Sequence, residues 1–141
     1  MQNEFWERWD HLLGIPHYIE LKEFINDLNT FKVLLADCTN PESQFSLIFE
    51  HSSNFYQKSN YALWKKFKYP LVVEKNISLV ENCAFYRVTN SFYMQQLEQQ
   101  SFGFYQAKNS VLFVLITKNS VLEILAASTY SPLIEWHKRP S

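Results

Sequence analysis

The fold of this chain is governed first by an apolar stretch of 18 residues, SVLFVLITKNSVLEILAA, at residues 110–127. Its first half, residues 111–117, is uncharged and rich in β-branched residues, which is typical of a strand covered on both faces. Its second half, residues 121–126, carries one charge and predicts the antiparallel partner. Between the halves, Asn119 tolerates the positive φ that tight hairpin turns require. A hairpin this apolar requires strands beside it and helices over it.

Composition indicates one globular domain with one core. The chain has 141 residues, of which 47% are hydrophobic and 17% aromatic, too apolar for intrinsic disorder. Its only 2 glycines, Gly14 and Gly103, are far apart, which argues against a phosphate-binding loop. No uncharged run is long enough to span a membrane and the first residues are acidic, so we predict a cytoplasmic protein without a cleaved signal or a membrane segment.

The charges are divided unequally along the chain. Residues 1–50 contain nine acidic and three basic residues, a net charge of −6, whereas residues 51–141 contain five acidic and ten basic residues, a net charge of +5. Two interpretations follow. The two halves attract each other within the fold, or the acidic segment faces an outside partner.

Two N-terminal segments carry apolar residues at helical spacing with acidic residues between them. In residues 4–13 the apolar positions are i, i+4, i+7 and i+8 from Phe5. In residues 18–28 they are i, i+3, i+4 and i+7 from Leu21. We therefore predict that residues 1–29 form a helical segment of two amphipathic helices.

Residues 30–137 predict a sheet-forming segment. Besides the hairpin, strand patterns occur at residues 31–36, 44–50, 71–74, 83–88 and 133–136. After residue 50 we predict a strand extension followed by a loop or a short turn of helix at residues 61–67. A short helix near residues 91–100, with N-cap side chains before it, separates later strands. The predicted fold is a single α+β domain over residues 1–141. Its mainly antiparallel sheet of five to seven strands packs against the two N-terminal helices and the short inserted helix.

Residues suited to catalysis or metal binding are scattered. The four histidines stand apart from one another and from both cysteines: His11, His17, His51 and His137. This spacing predicts no metal site and no cofactor. His51 with Cys38 or Cys83 offers the groups for a nucleophile and base, but apolar neighbours favour two buried free thiols over a reactive thiol or a disulfide. Glu74 and Glu81 are interpreted as solvated loop charges rather than paired catalytic carboxylates, so no catalytic residue is predicted.

The candidate binding surface is the acidic N-terminal segment. Trp6 lies off the predicted apolar stripe beside Glu7 and Asp10, and an aromatic anchor ringed by carboxylates is typical of protein interfaces. The predicted partner-binding residues are Trp6, Glu7, Asp10, Glu20, Glu23 and Asp27. In the alternative interpretation, a helix packed in a crevice buries its tryptophans.

Three segments carry a resemblance to known proteins: FSLIFEHSSNFYQ, CAFYRVTNSFYMQQL and VLFVLITKNSVLEILAAS, followed by Pro132 and Ile134-Glu135-Trp136. Together they look like a group of small uncharacterised bacterial proteins with a similar final hairpin. In size, scarcity of Gly, aromatic content and lack of catalytic residues, the chain also resembles bacterial immunity proteins of contact-dependent growth inhibition and related polymorphic toxin systems. The resemblance implies tight binding to one cognate toxin, often a nuclease. It carries over no functional residue.

We therefore expect a non-enzymatic, cytoplasmic toxin inhibitor that binds a basic toxin domain through its acidic, aromatic surface. One alternative is a small-molecule-binding or enzymatic domain, with a pocket between helices and sheet lined by Trp64, Tyr86, Tyr93 and Tyr105. A second alternative is single-stranded nucleic-acid binding by residues 58–75, where lysines alternate with aromatic residues. The acidic first third argues against nucleic acid as a partner.

Overall fold

A computed structural model describes residues 5–9, 14–16, 18–27, 30–50, 56–67, 85–103, 106, 109–127 and 130–138. These described residues form nine strands and two helices. In chain order the elements are β1 (Phe5–Arg8), β2 (Ile19–Asp27), β3 (Thr30–Asp37), β4 (Asn40–Glu50), β5 (Tyr56–Asn60), α1 (Tyr61–Phe67), β6 (Phe85–Thr89), α2 (Phe92–Gln100), β7 (Ser110–Ile116), β8 (Ser120–Ala127) and β9 (Leu133–Lys138).

The strands form two antiparallel sheets. The central sheet has five strands in the order β1-β6-β7-β8-β5, and the outer sheet has four in the order β2-β3-β4-β9. This arrangement corrects the predicted fold class. The described residues contain two sheets and two short helices, in place of one sheet packed against two N-terminal helices.

The central sheet is buried on both faces. One face packs against the outer sheet around Phe113, whose ring centroid lies 5.2 Å from that of Trp9 and 5.5 Å from that of Phe49. The other face packs against α1 and α2 through Trp64 and Met94. Alternate residues of β7 enter the two cores. The prediction that this apolar strand is covered on both faces is therefore confirmed.

The predicted hairpin is formed by β7 and β8, which pair from Ser110 opposite Ala127 to Ile116 opposite Val121. The hydroxyl of Thr117 donates to the carbonyl oxygen of Ser120 at 2.7 Å and accepts from the Ser120 N–H at 3.0 Å. The expected positive φ at Asn119 is wrong. In the described part of the chain, the non-glycine residues with positive φ are Asn90 and Phe102.

The predicted helix over residues 18–28 is wrong, because residues 19–27 form strand β2. The register of β2 with β3 shifts between Leu21 and Glu23, so Lys22 is the extra residue of a β-bulge. Leu21 packs against the core before the bulge and Phe24 does so after it. The bulge therefore separates two inward residues by three positions, the spacing of a helix face.

The predicted helix over residues 4–13 is also wrong, since residues 5–8 form the short edge strand β1. Phe5 is exposed, whereas Trp9 packs into the core between the sheets. The two aromatic side chains that suggested one helical stripe thus have different environments. The last part of the predicted helix, residues 10–13, lies outside the described residues.

Other predicted elements are confirmed. β3, β4, the later part of the strand predicted at residues 83–88, and β9 occupy the expected positions, with β9 at the edge of the outer sheet. Of the two alternatives predicted at residues 61–67, a loop or a short turn of helix, the structure has the helix, α1. α2 begins as expected, because the hydroxyl of Ser91 caps it by accepting from the Met94 N–H at 3.1 Å. The strand predicted at residues 71–74 lies outside the described residues.

The C-terminus of α2 has a strained cap. The N–H of Gly103 donates to the carbonyl oxygen of Glu98 at 2.9 Å, and the N–H of Phe102 donates to that of Gln99 at 3.3 Å. This is a Schellman motif, in which glycine is preferred at the position that Phe102 occupies with a φ of 54°. The Phe102 residue is 99% exposed, so packing of its side chain does not compensate for the left-handed backbone.

We expect Phe102→Gly to stabilise the fold by about 1 kcal/mol, because glycine adopts the left-handed conformation without a Cβ penalty. Urea unfolding followed by circular dichroism measures the change. The matched variant Phe102→Ala removes the same ring but keeps Cβ, and it should leave stability nearly unchanged. Equal effects of the two variants would contradict the strain interpretation.

Candidate binding surface

Strand β2 forms one edge of the outer sheet. It pairs with β3 along one side, and no strand among the described residues pairs with its other side. Five of its nine side chains are exposed: Lys22, Glu23, Ile25, Asn26 and Asp27. An edge strand presents a row of main-chain N–H and C=O groups that can pair with a strand from another chain.

The three acidic residues predicted on this segment lie along β2. Glu20 is opposite Ala36, Glu23 is opposite Leu34 and Asp27 is opposite Thr30 of β3. Alternate residues of β3 point into the core, which places these three β3 positions, and the residues paired with them, on the outward face. The acidic row, as we call Glu20, Glu23 and Asp27, therefore lies on one face of an open edge.

The acidic row is interrupted by one apolar residue and has lysines beside it. Ile25 lies between Glu23 and Asp27 on the same face and is 43% exposed. The Nζ of Lys22 lies 3.5 Å from Oε2 of Glu20. Lys32 is opposite Ile25, one strand further in. At the edge itself, two carboxylates therefore flank one isoleucine.

The other predicted binding residues lie elsewhere. Trp6 packs edge-on against Tyr86 at a centroid distance of 5.5 Å, and Glu7 accepts a hydrogen bond from Nη1 of Arg87 at 2.8 Å. Both belong to β1, at the edge of the central sheet opposite β5. Because β1 and β5 are the two edges of a five-stranded sheet, four strand spacings of about 4.8 Å separate them, roughly 19 Å in all. Asp10 lies outside the described residues.

The ion pair between Glu7 and Arg87 links the acidic first segment to the basic remainder of the chain. It agrees with the interpretation that the two halves attract each other within the fold. At Glu20, Glu23 and Asp27, the carboxylates remain at the surface. The structure thus divides the predicted binding surface between two places: Trp6 and Glu7 lie on β1 of the central sheet, and the acidic row lies along the edge strand β2 of the outer sheet.

A groove of about 550 Å³ lies between β2 and β5. Near Phe24 the space between the sheets is filled by Tyr56, at a ring-centroid distance of 5.0 Å. Towards the other end of β5 it opens. The walls there are Leu21, Lys22, Glu23, Phe24, Lys58, Ser59, Asn60, Asn119 and Ser120. Amides, hydroxyls and ammonium groups predominate, so the groove suits a polar side chain or a main-chain segment.

A second cavity, of about 300 Å³, lies on the outward face of the outer sheet and contains an arrangement that sequence reasoning missed. Oγ of Ser46 lies 2.6 Å from Nε2 of His137, and Nδ1 of His137 lies 3.8 Å from Oε1 of Glu135. Serine, histidine and glutamate therefore follow one another in the order found in the catalytic triad of a hydrolase. In the sequence, this arrangement is indicated only by the spacing of Glu135 and His137, which are two residues apart in a predicted strand and therefore share one face.

This arrangement lacks an accessible nucleophile. Ser46 is 0% exposed, so a substrate cannot approach its Oγ. Ser46 lies on β4 and His137 on the edge strand β9, which pairs with it. The hydrogen bond between them therefore attaches the edge strand to the sheet, a structural role.

The thiol of Cys38 is free and partly exposed, in the turn between β3 and β4. Its predicted burial is wrong, because it lies at the end of the sheet rather than in a strand. Partial burial raises the pKa of Cys38, as do the negative charges of Glu20 and Asp37, while Lys118 acts in the opposite direction. A raised pKa leaves little thiolate near neutral pH, which does not suit a nucleophile.

Several other candidate residues lie outside the described residues: His11, His17, His51, Glu74, Glu81 and Cys83. Within the described ranges, no group of three or more His, Cys, Asp or Glu side chains could hold a metal ion.

The interface between the helices and the central sheet is filled by side chains. Trp64 and Tyr86, two of the four residues proposed to line a pocket there, are buried in the apolar core, and Tyr93 packs against it. Tyr105 lies outside the described residues. Trp64 also belongs to the aromatic and basic segment at residues 58–75, and at 3% exposure it cannot stack on a base.

Comparisons with known proteins give no relative: no family model, no curated protein and no solved structure matches the chain. Of the helices in the described part, none is long and apolar enough to span a membrane.

We expect Ser46 to resist fluorophosphonate reagents, because its hydroxyl is buried beneath neighbouring side chains. Mass spectrometry of the folded protein after treatment measures labelling. Stoichiometric modification that disappears in Ser46→Ala would contradict the structural role and indicate a hydrolase.

We expect Cys38 to react slowly with iodoacetamide near neutral pH, since its raised pKa lowers the thiolate fraction. Glu20→Gln removes one cause of that shift, so the pH midpoint of alkylation should fall and the rate at pH about 7.5 should rise roughly twofold. Mass spectrometry of the Cys38 peptide follows the rate. Glu135→Gln, on the opposite edge strand, should leave it unchanged, and equal acceleration by both variants would contradict the electrostatic cause.

Proposed function

We propose that this chain is a non-enzymatic protein-binding domain, and specifically a bacterial immunity protein that neutralises a cognate toxin domain in the cytoplasm. The observation that carries the proposal is the open edge strand β2 with its exposed acidic row. Main-chain groups along the edge supply affinity, and the carboxylates select a partner of opposite charge.

The chemistry of the described residues supports binding over catalysis. The serine nearest to a histidine is buried, and the pKa of the partly exposed thiol is raised. The larger groove lies at the edge between the two sheets and the smaller one on the outward face of the outer sheet, and neither is a deep enclosed cleft. Active sites usually combine a concave pocket with accessible, activated groups.

A basic toxin domain is the partner that best fits the acidic row. Nucleases bind phosphate through lysine and arginine, so a protein that blocks a nuclease site profits from carboxylates on its own surface. Exposed carboxylates also steer the encounter of the two proteins, and salt weakens that steering.

Co-expression with toxin domains encoded beside this gene, nucleases included, tests the proposal. We expect this chain to restore growth against one of them, and the purified pair to form a complex that weakens between low and physiological salt. Absence of protection and of a complex at every salt concentration would end the proposal.

The acidic row should carry the interaction. The triple variant Glu20→Gln, Glu23→Gln and Asp27→Asn should weaken the complex roughly tenfold or more, because it removes three interfacial charges. The control variant Glu42→Gln, Glu98→Gln and Glu135→Gln changes net charge by the same amount elsewhere on the surface. It should leave the affinity nearly unchanged, and equal weakening by both variants would show that net charge alone matters.

A further inference from the structure

We infer that the partner of this protein contributes an extended segment that pairs as an additional strand with residues 23–27 of β2. The segment carries two basic residues four positions apart with an apolar residue midway between them. This inference rests on the proposed binding function and names the structural form of the ligand.

The main chain of residues 23–27 is suited to accept a strand. The register of β2 with β3 is regular from Glu23 opposite Leu34 to Asp27 opposite Thr30, and the bulge lies before it. Four of these five side chains are exposed: Glu23, Ile25, Asn26 and Asp27. A partner strand can therefore form an unbroken ladder with this part of the edge.

The side chains define the partner's sequence on the outward face. Glu23, Ile25 and Asp27 are two residues apart, so they follow one another along that face. An antiparallel partner places one residue opposite each of them. Opposite charges across a pair of strands stabilise it, whereas like charges destabilise it. The complementary pattern is basic, apolar, basic at alternate positions.

A second copy of this chain complements the edge less well than a basic strand does. If two β2 strands paired antiparallel about Ile25, Glu23 of one copy would lie opposite Asp27 of the other, since each is two residues from the centre. Centring the pair on Glu23 would oppose two Glu23 carboxylates. Both registers place like charges together, and registers centred on Phe24 or Asn26 place a carboxylate opposite Ile25. A different chain with basic residues therefore complements the edge better than a second copy does.

At Glu23 and Phe24, one end of the paired segment, the other face of the added strand meets the groove between the sheets. The groove of about 550 Å³ starts at Phe24 and is walled on the far side by Lys58, Asn60 and Asn119. These side chains donate hydrogen bonds. We therefore expect the partner's residue that faces the groove at this end to be polar with a carbonyl or carboxylate oxygen, such as glutamine.

Titration of the isotope-labelled full chain with a capped peptide of sequence Gln-Lys-Gln-Val-Gln-Lys-Gln tests the inference. We expect the largest amide shifts in the NMR spectrum at residues 23–27, and smaller ones at β1, β5 and β9. Two N-methylated peptides test the main chain, one methylated at both lysines and one at the second and third glutamines. Only alternate N–H groups of an added strand face β2, so one peptide should bind at least ~10-fold more weakly and the other should keep its affinity.

Charge reversal provides the matched test. Glu23→Lys should weaken binding of the lysine peptide roughly tenfold. The same variant should bind a peptide with glutamate in place of both lysines better than the natural chain does. Glu135→Lys makes the same change on β9, at the opposite edge of the outer sheet, and should alter neither affinity.

The inference is overturned by any of four results. These are the absence of shifts at about 5 mM peptide, shifts centred on another strand, equal loss of binding with both N-methylated peptides, or equal weakening by Glu23→Lys and Glu135→Lys.

Failure of the proposed function gives different results. Peptide binding at β2 without protection from any toxin rejects the immunity role alone, whereas protection that Glu23→Lys leaves intact rejects strand addition alone.

Discussion

Burial of the central sheet on both faces is the constraint on which the rest of the structure depends. In β7, Phe113 enters the core between the sheets and its neighbour Val114 enters the core beneath the helices. A strand with no polar face is stable only between two layers. The outer sheet and the two helices are therefore required to cover it, and each can leave its own second face in contact with water.

This constraint explains which parts of the fold could be predicted from sequence. The hairpin, β3, β4 and α2 have strong local signals, either an uninterrupted apolar run, alternation or a capped helix. The two N-terminal strands lack such a signal. In β2 a bulge separates the inward-facing residues Leu21 and Phe24 by three positions, which is the spacing of a helix face. β1 has only four residues, too few to show a period. These two segments are strands because they pair with other strands, and the residue pattern within one segment does not indicate such pairing.

The candidate site could be predicted in part, for the same reason. Charge counting found Glu20, Glu23 and Asp27, which strand geometry aligns on one face. It also grouped Trp6 and Glu7 with them, although both belong to the far edge of the other sheet. Adjacency of Ser46 and His137 was not predictable, because the two residues are 91 apart in sequence and meet only through the pairing of β4 with β9.

In the described part of the chain, the two sheets have four edge strands, which differ in how they are protected against unwanted pairing. β1 and β5 are short, with four and five residues, and β9 has six. β2, with nine residues, is the longest, and its bulge disrupts only the first part. Residues 23–27 are thus protected by charge alone. Protection by charge is conditional, because carboxylates repel another acidic strand and attract a basic one. The same two side chains, Glu23 and Asp27, can therefore keep copies of this chain apart and admit a partner of opposite charge.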